Sequence, residues 1–228
     1  MRIEWNMGAV MGMVIIGTVV GFVCWRHHVQ ASRKRVRDAI MLAFVSGAFG
    51  VSLTLLAQIG GTGSPVFAGI VIFVIMGWTG FAHPMMNFGV PRASRFVSAR
   101  ELGMTSSNWS GVPAFGALLK GTPLKRLSPA VYLRRFPRDP VGVARHLEAA
   151  EAVHLWAIVF SVPYLAYLGV NGFRGAVGVS LGCHVIGNFY PILHLRQARG
   201  RLAGYLGKKA ARKMRERSPA PGIDLDYS

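Results

Sequence analysis

The chain has 228 residues, of which 52% are hydrophobic and only 15% are charged, yet its formal net charge is +17. Soluble domains usually carry about 25% charged residues, so a chain that is both apolar and strongly basic is typical of membrane proteins with cationic loops. Nucleic-acid-binding domains are the other basic class, and the 13 Phe residues and long apolar runs argue against that class. The two cysteines lie inside apolar runs and have neither disulfide-framework nor metal-site spacing.

Five apolar stretches are long enough to cross all or most of a hydrocarbon core about 30 Å thick. They cover residues 7–25, 39–59, 66–82, 153–170 and 175–195. The chain is therefore predicted to be all-α, an integral membrane helical bundle with about five transmembrane helices. More positive charge follows the first stretch than precedes it, so we interpret that stretch as a retained anchor and not as a cleaved signal peptide.

Lys and Arg are distributed unequally between the two sides of this predicted bundle. With the N-terminus outside, the segments that face the cytoplasm are 26–38, 83–152 and 196–228, and they hold 24 of the 26 Lys and Arg residues. The positive-inside rule therefore predicts an outside N-terminus and a cytoplasmic C-terminus, in the inner (plasma) membrane. The cationic segments are expected to contact anionic lipids at the inner leaflet.

Four regions are expected along the chain. Residues 1–82 are predicted to form a three-helix membrane segment. Residues 83–152 are a basic cytoplasmic or interfacial region, which prolines divide into short amphipathic helices. Residues 153–206 are a C-terminal transmembrane hairpin, and residues 207–228 are a tail that changes from basic to disordered.

Ionisable side chains stand where the fourth apolar stretch begins. They are three residues apart, so a helix places them on one stripe: Arg145, Glu148, Glu151 and His154. Ionisable groups inside a membrane are costly and indicate function by default. One structural alternative is an interfacial ion pair between Arg145 and Glu148. Another is a contact through which Glu151 and His154 fasten two spans together.

Polar residues also interrupt the fifth apolar stretch. Ser180, His184 and Asn188 are four residues apart and share one helix face. The short turn NGFR (171–174) makes the fourth and fifth stretches antiparallel neighbours, so His154 and Asn188 are expected at similar depths. The structural alternatives are a satisfied core histidine at position 184 and an amide at position 188 that joins two helices.

Acid–base chemistry fits these residues better than metal chemistry does. Di-iron bundles use two Glu-x-x-His motifs with further carboxylates, and this chain has a single such motif, EAVH (151–154). We therefore predict no metal site. A histidine held by a carboxylate can take a proton from a hydroxyl, which makes His154 the predicted general base and Glu151 its orienting partner.

The remaining polar residues near the inner interface are candidates for substrate binding. Arg145 and Arg196 are expected to bind the phosphates of an acyl donor, because a guanidinium recognises phosphate in bidentate fashion. Glu148 and His184 are expected to contact the substrate, and Asn188 to donate to a developing oxyanion or to fix the acceptor.

Three pieces of the C-terminal half resemble one small enzyme family. They are AEAVHLW (150–156), Pro163, and NFYPILHLR (188–196) followed by RGRL (199–202). The family is that of the glycosyl-4,4'-diaponeurosporenoate acyltransferases of staphyloxanthin-type carotenoid pathways. The resemblance covers about residues 145–202.

This resemblance implies transfer of a fatty acyl group to a sugar hydroxyl of a membrane-bound carotenoid glycoside. It implies that Glu151 and His154 are central, and that Asn188 and Arg196 support them. An acyl-CoA or an acyl carrier protein is the expected co-substrate, with no bound cofactor. The acceptor is expected to be a lipid or isoprenoid in the membrane, and no nucleic-acid partner is expected.

Two other function classes remain open from the sequence. One is a non-enzymatic assembly factor or complex subunit, in which the Glu/His stripe binds a helix of a membrane-protein partner. The other is a different lipid-modifying enzyme such as a membrane methyltransferase, although the tail lacks the paired glutamates of that class. A transporter is disfavoured because the sequence shows neither an inverted repeat nor a broken helix pair.

Overall fold

The computed structural model describes residues 33–91, 94–122 and 139–217. In these ranges the regular structure is helical. In chain order the helices are α1 (Arg33–Gly60), α2 (Pro65–Met86), α3 (Ala99–Ser106), a 3₁₀ turn (Asn108–Ser110), α4 (Val112–Gly121), α5 (Pro140–Val170), α6 (Arg174–His184), a π-helical segment (Val185–Phe189) and α7 (Tyr190–Arg217). The predicted first span and residues 218–228, half of the predicted tail, lie outside the described residues.

Four helical stretches in the described part are long and apolar enough to cross a membrane. They are Arg37–Gly60, Pro65–Met86, Pro140–Val170 and Arg174–Ala210. They include the four predicted spans that fall within the described residues, so the prediction of an all-helical membrane protein is confirmed in this coarse form. The total of five spans and the orientation remain predictions.

Two helices are longer than the apolar runs that revealed them. α5 begins at Pro140, 13 positions before the predicted span, because Asp139 caps its first turn: Oδ1 of Asp139 accepts the N–H of Gly142 at 2.8 Å. α7 continues as a basic helix to Arg217. Hydropathy detects only the apolar part of a helix, so the predicted boundaries at 152/153 and 206/207 fall inside α5 and α7.

Contacts divide the chain into two compact units, and both α5 and α7 contribute to each. Among the described residues, the first unit comprises those within Met1–Phe96 and Glu148–Leu195, and the second those within Val97–Leu147 and Arg196–Ser228. In the first unit α2 packs most extensively against α6 and also against α1. Its apolar clusters are Ala57 with Phe67 and Val71, and Ala68 with Leu168 and Ala176.

The two turns of the first unit lie together at one end of its helices. Thr62 in the turn between α1 and α2 hydrogen-bonds through Oγ1 to the hydroxyl of Tyr167 at 2.9 Å. The hydroxyl of Tyr164 donates to the carbonyl of Thr62 at 3.3 Å. Gly61 and Gly172 have φ of 75° and 74°, which a glycine adopts without steric cost. The two turns therefore lie on the same side of a membrane that these helices cross, which holds for either orientation of the chain.

The orientation itself is tested by a reporter fusion. A reporter placed after Arg126, within the basic region 83–152, is expected to read cytoplasmic, because reversing the topology would place most of the positive charge outside. A matched fusion in the turn after Gly61 is expected to read outside. An outside signal from the Arg126 fusion together with a cytoplasmic signal from the Gly61 fusion would show the opposite topology.

In the second unit the short helix α3 is held against the start of the basic part of α7. Arg196 donates to both carboxylate oxygens of Glu101, through Nε to Oε1 and through Nη2 to Oε2 at 2.9 Å. The next side chain, Gln197, donates through Nε2 to the carbonyl of Thr105 at 3.0 Å. Gly200, one turn further on, lets Leu102 approach closely, since a Cβ there would lie 3.0 Å from its Cδ1. Two short helices, α3 and α4, thus lie in the described part of the region 83–152, and its interfacial placement stays a prediction.

Candidate functional site

Histidine, asparagine and serine side chains of α5, α6 and the π-helical segment meet inside the first unit. Nδ1 of His154 on α5 lies 3.2 Å from Oδ1 of Asn188 in the π-helical segment. Asn188 is completely buried, and His154 is partly buried. The two residues are 34 positions apart in the chain, so the expectation that adjacent antiparallel helices bring them together is confirmed.

The polar contacts continue from Asn188 to His184 and Ser161. Its Nδ2 lies 3.0 Å from Nδ1 of His184, and Nε2 of that ring lies 2.7 Å from Oγ of Ser161. Oγ of Ser161 also donates to the carbonyl of Ile158 at 2.7 Å. We call His154, Asn188, His184 and Ser161 the polar chain. It joins α5 to α6 and to the π-helical segment through consecutive hydrogen bonds.

Ser161 is the member of the polar chain that sequence reasoning missed. It stands seven residues after His154 and so shares its helix face, and it is 0% exposed. That spacing was the available signal. Serine is common in membrane helices, however, and its hydroxyl ordinarily bonds a carbonyl of its own helix, so the residue type alone pointed to no site.

The π-helical segment (Val185–Phe189) shapes this site. The N–H of Tyr190 bonds to the carbonyl of Val185, five residues back. An α-helix would bond the carbonyl of Gly187 to the N–H of residue 191, and Pro191 has none. Single π-helical turns occur frequently at functional sites, and this one contains Asn188 and follows His184 directly.

Glu151 and Ser180 lie close in sequence to members of the polar chain and are both buried. Glu151 is 2% exposed and stands one turn before His154 on α5. Its predicted role of orienting the imidazole stays a prediction, and the hydrogen-bond partner of Nδ1 of His154 is Asn188. Ser180 shares the predicted face of α6, and its buried hydroxyl has no hydrogen-bond partner among the described residues.

The outer residues of the predicted stripe have a different partner from the one expected. Nε of Arg95 lies 3.4 Å from Oε1 of Glu148, and both side chains are partly exposed. Nε of Arg95 also donates to the carbonyl of Val90 at 3.2 Å. Arg145 is exposed. The predicted ion pair of Glu148 is therefore made with Arg95, a residue of an irregular segment that no sequence pattern marked.

Arg196 is engaged by a carboxylate of the chain itself. Its side chain is 12% exposed and that of Glu101 is 28% exposed. The hydrogen bonds and positive charge of Arg196 hold the pKa of the Glu101 carboxyl below its ordinary value of 4.5. The guanidinium that we expected to bind a donor phosphate therefore fixes α3 in the second unit, and Glu101 was not predicted as its partner.

An aromatic cluster lies beside the site in the first unit and fixes the segment after α2. Phe88 stacks on Trp156 with ring centroids 5.4 Å apart, and Phe160 lies 5.6 Å from both of them. Nε1 of Trp156 donates to the carbonyl of Gly89 at 3.1 Å. Because Trp156 and Phe160 follow His154 by two and six positions on α5, these contacts limit rotation of α5 about its axis next to the site.

Within the described residues, no three side chains of the His, Cys, Asp or Glu types are grouped so that they could hold a metal ion. Comparison of the chain with protein-family models, with curated proteins and with solved structures finds no match.

Proposed function

We propose that this protein is a membrane acyltransferase that moves a fatty acyl group onto a hydroxyl of a membrane-embedded lipid, glycolipid or carotenoid glycoside. The observation that carries the proposal is the pairing of His154 with Asn188 on two apolar helices, at an Nδ1–Oδ1 distance of 3.2 Å. A histidine whose Nδ1 is fixed in this way presents its other nitrogen as a general base.

The proposed reaction uses an acyl thioester, from acyl-CoA or an acyl carrier protein, as donor. Nε2 of His154 takes the proton of the acceptor hydroxyl while the hydroxyl oxygen bonds to the acyl carbonyl carbon. The C–S bond then breaks, and the thiolate leaves with the proton that His154 held. The product is an ester, and the histidine returns to its starting form.

The surroundings of His154 suit an acceptor that is dissolved in the membrane. His154 stands near one end of the apolar part of α5, where a lipid-linked hydroxyl and a water-soluble donor can meet. Basic residues are concentrated in the segment that follows α2 and in α7 from Arg196 onward, which attracts the phosphates of a donor such as acyl-CoA. The resemblance of residues 145–202 to carotenoid glycoside acyltransferases supports the same class of acceptor.

A second candidate is a non-enzymatic assembly factor or complex subunit. The observation that favours it is the outer surface of α1, where large apolar side chains such as Phe44 and Ile59 are exposed. A partner helix would cover such a surface as well as lipid does. The polar chain is not needed for such a partner, because its side chains bond to each other inside the first unit and a partner on α1 would contact apolar side chains instead. The polar chain therefore favours the enzyme.

The test is a comparison of lipid and pigment extracts. Cells producing the wild-type chain and cells carrying an empty vector are fed a deuterated fatty acid, and their extracts are compared by mass spectrometry. We expect one lipid or pigment species to gain a deuterated acyl group only when the chain is present. Identical extracts, together with co-purification of one membrane protein at fixed stoichiometry, would reject the acyltransferase in favour of the subunit.

A further inference from the structure

We propose that Ser161 and His184 are positioning residues, which fix the side-chain tautomer of His154 through the polar chain. This inference depends on the proposed function only for its catalytic consequence. The tautomer is a property of the protein itself and can be measured whether or not an acyl group is transferred.

The direction of the polar chain is set at its inner end. Oγ of Ser161 lies 2.7 Å from the carbonyl oxygen of Ile158 and 2.7 Å from Nε2 of His184. A carbonyl oxygen only accepts, so the single hydroxyl proton of Ser161 points to Ile158. The remaining lone pair of Oγ faces the imidazole. Nε2 of His184 must therefore carry a proton and donate it to Ser161.

The next two bonds follow from that proton. His184 is 7% exposed among apolar helices, where a charged ring is costly, so it is neutral and its Nδ1 has a lone pair. Asn188 must then turn its Nδ2 toward that lone pair, at 3.0 Å. This orientation leaves Oδ1 of Asn188 facing His154. Because Oδ1 only accepts, Nδ1 of His154 carries the proton.

The outcome is one tautomer of the ring that we propose as the base. A neutral imidazole free of partners can carry its proton on either nitrogen. In the polar chain the proton of His154 is held at Nδ1, and Nε2 keeps the lone pair that accepts a proton. Every bond in the series has one donor and one acceptor, so reversing any bond leaves two donors or two acceptors face to face.

The test is nitrogen NMR of the full-length protein in lipid nanodiscs with ¹⁵N-labelled histidine. The sequence has seven histidines, so the signal of His154 is assigned as the one that disappears in His154→Gln. In the wild type we expect His154 to show a protonated Nδ1 and an unprotonated Nε2. A protonated Nε2 on a neutral His154 in the wild type would overturn the inference without any further variant.

Variants test the route by which the proton is fixed. Ser161→Ala and His184→Phe are expected to release the carboxamide of Asn188, so that His154 shows a mixture of both tautomers. The matched control is Ser180→Ala, which removes another buried serine hydroxyl outside the polar chain and is expected to leave the tautomer unchanged. A single Nδ1-protonated form that persists in both Ser161→Ala and His184→Phe would overturn the inference.

The kinetic consequence separates this inference from the proposed function. If half of His154 is in the wrong tautomer, the rate of acyl transfer is expected to fall about twofold, since only the competent fraction reacts. The expected tautomer without any acyl product would reject the proposed function and leave the inference standing. Acyl transfer by a protein whose His154 is protonated at Nε2 would reject the inference and leave the proposed function standing.

Discussion

Replacing His154 by glutamine is expected to lower the rate of acyl-product formation by about 10²- to 10⁴-fold, the range that a general base contributes. Glutamine keeps much of the length of histidine and offers an N–H to Oδ1 of Asn188, so packing between α5 and the π-helical segment is retained. The measurement is deuterated ester formed per membrane-inserted chain, in membranes supplied with a fatty acyl thioester and an extract of the acceptor.

The matched control for this variant is His146→Gln. His146 lies two turns earlier on α5 and is exposed, so the control makes the same chemical change on the same helix. We expect it to change the rate less than about twofold, as a surface substitution away from special contacts does in most proteins. Loss of activity in His146→Gln with full activity in His154→Gln would move the base to the other histidine and reject the assigned site.

Replacing Glu101 by glutamine is expected to destabilise the second unit by about 1–3 kcal/mol, the cost of leaving a largely buried donor without its partner. The substitution keeps the shape of the side chain and removes the charge that holds the bidentate guanidinium of Arg196. The measurement is the thermal unfolding midpoint of the full chain in detergent micelles, followed by a probe attached to α3.

The matched control here is Glu148→Gln, which removes another carboxylate that faces an arginine. Its partner Arg95 is 51% exposed and Glu148 is 39% exposed, so water screens the pair. Exposed pairs contribute about 0–1 kcal/mol, and we expect a correspondingly small shift in the midpoint. Equal shifts for the two variants would show that the Glu101 pair contributes no more to stability than a surface pair.

The same pair gives an expected pH dependence with a definite sign. Arg196 lowers the pKa of Glu101 in the folded state, so the unfolded state binds the proton more readily. The stabilisation by this pair is then present above the unfolded pKa and is lost as pH falls through the lower, folded pKa. The wild-type midpoint should fall on acidification below about pH 4.5, and the difference from Glu101→Gln should narrow there.

The sequence could predict those parts of the fold and site that depend on regular residue spacing within one helix. The apolar runs located the four described spans, and the three- and four-residue spacings placed His154 and Asn188 on their helix faces. The short turn after Val170 then required the two helices to be neighbours. These inferences need only helix periodicity and the reach of a short turn.

Partners that come from irregular segments could not be predicted in this way. Arg95 lies in an irregular stretch and Glu101 on a short helix, and no periodic pattern connects either one to Glu148 or Arg196. The early start of α5 was also missed, because its first three turns are too polar for hydropathy to detect. The π-helical segment was not predicted either: a proline such as Pro191 indicates an interrupted helix but leaves open whether the chain bends or inserts an extra residue.

Because of the π-helical segment, the positions of the side chains in the polar chain depend on the number of residues between His184 and Pro191. A π turn closes over one residue more than an α turn, so a polypeptide with one residue fewer between His184 and Pro191 would have no need for it. Such a polypeptide could keep every histidine, asparagine and serine named above and still change the angle between His184 and Asn188 about the helix axis. In any comparison with related chains, a one-residue gap here would therefore matter more than a change of residue type at most neighbouring positions.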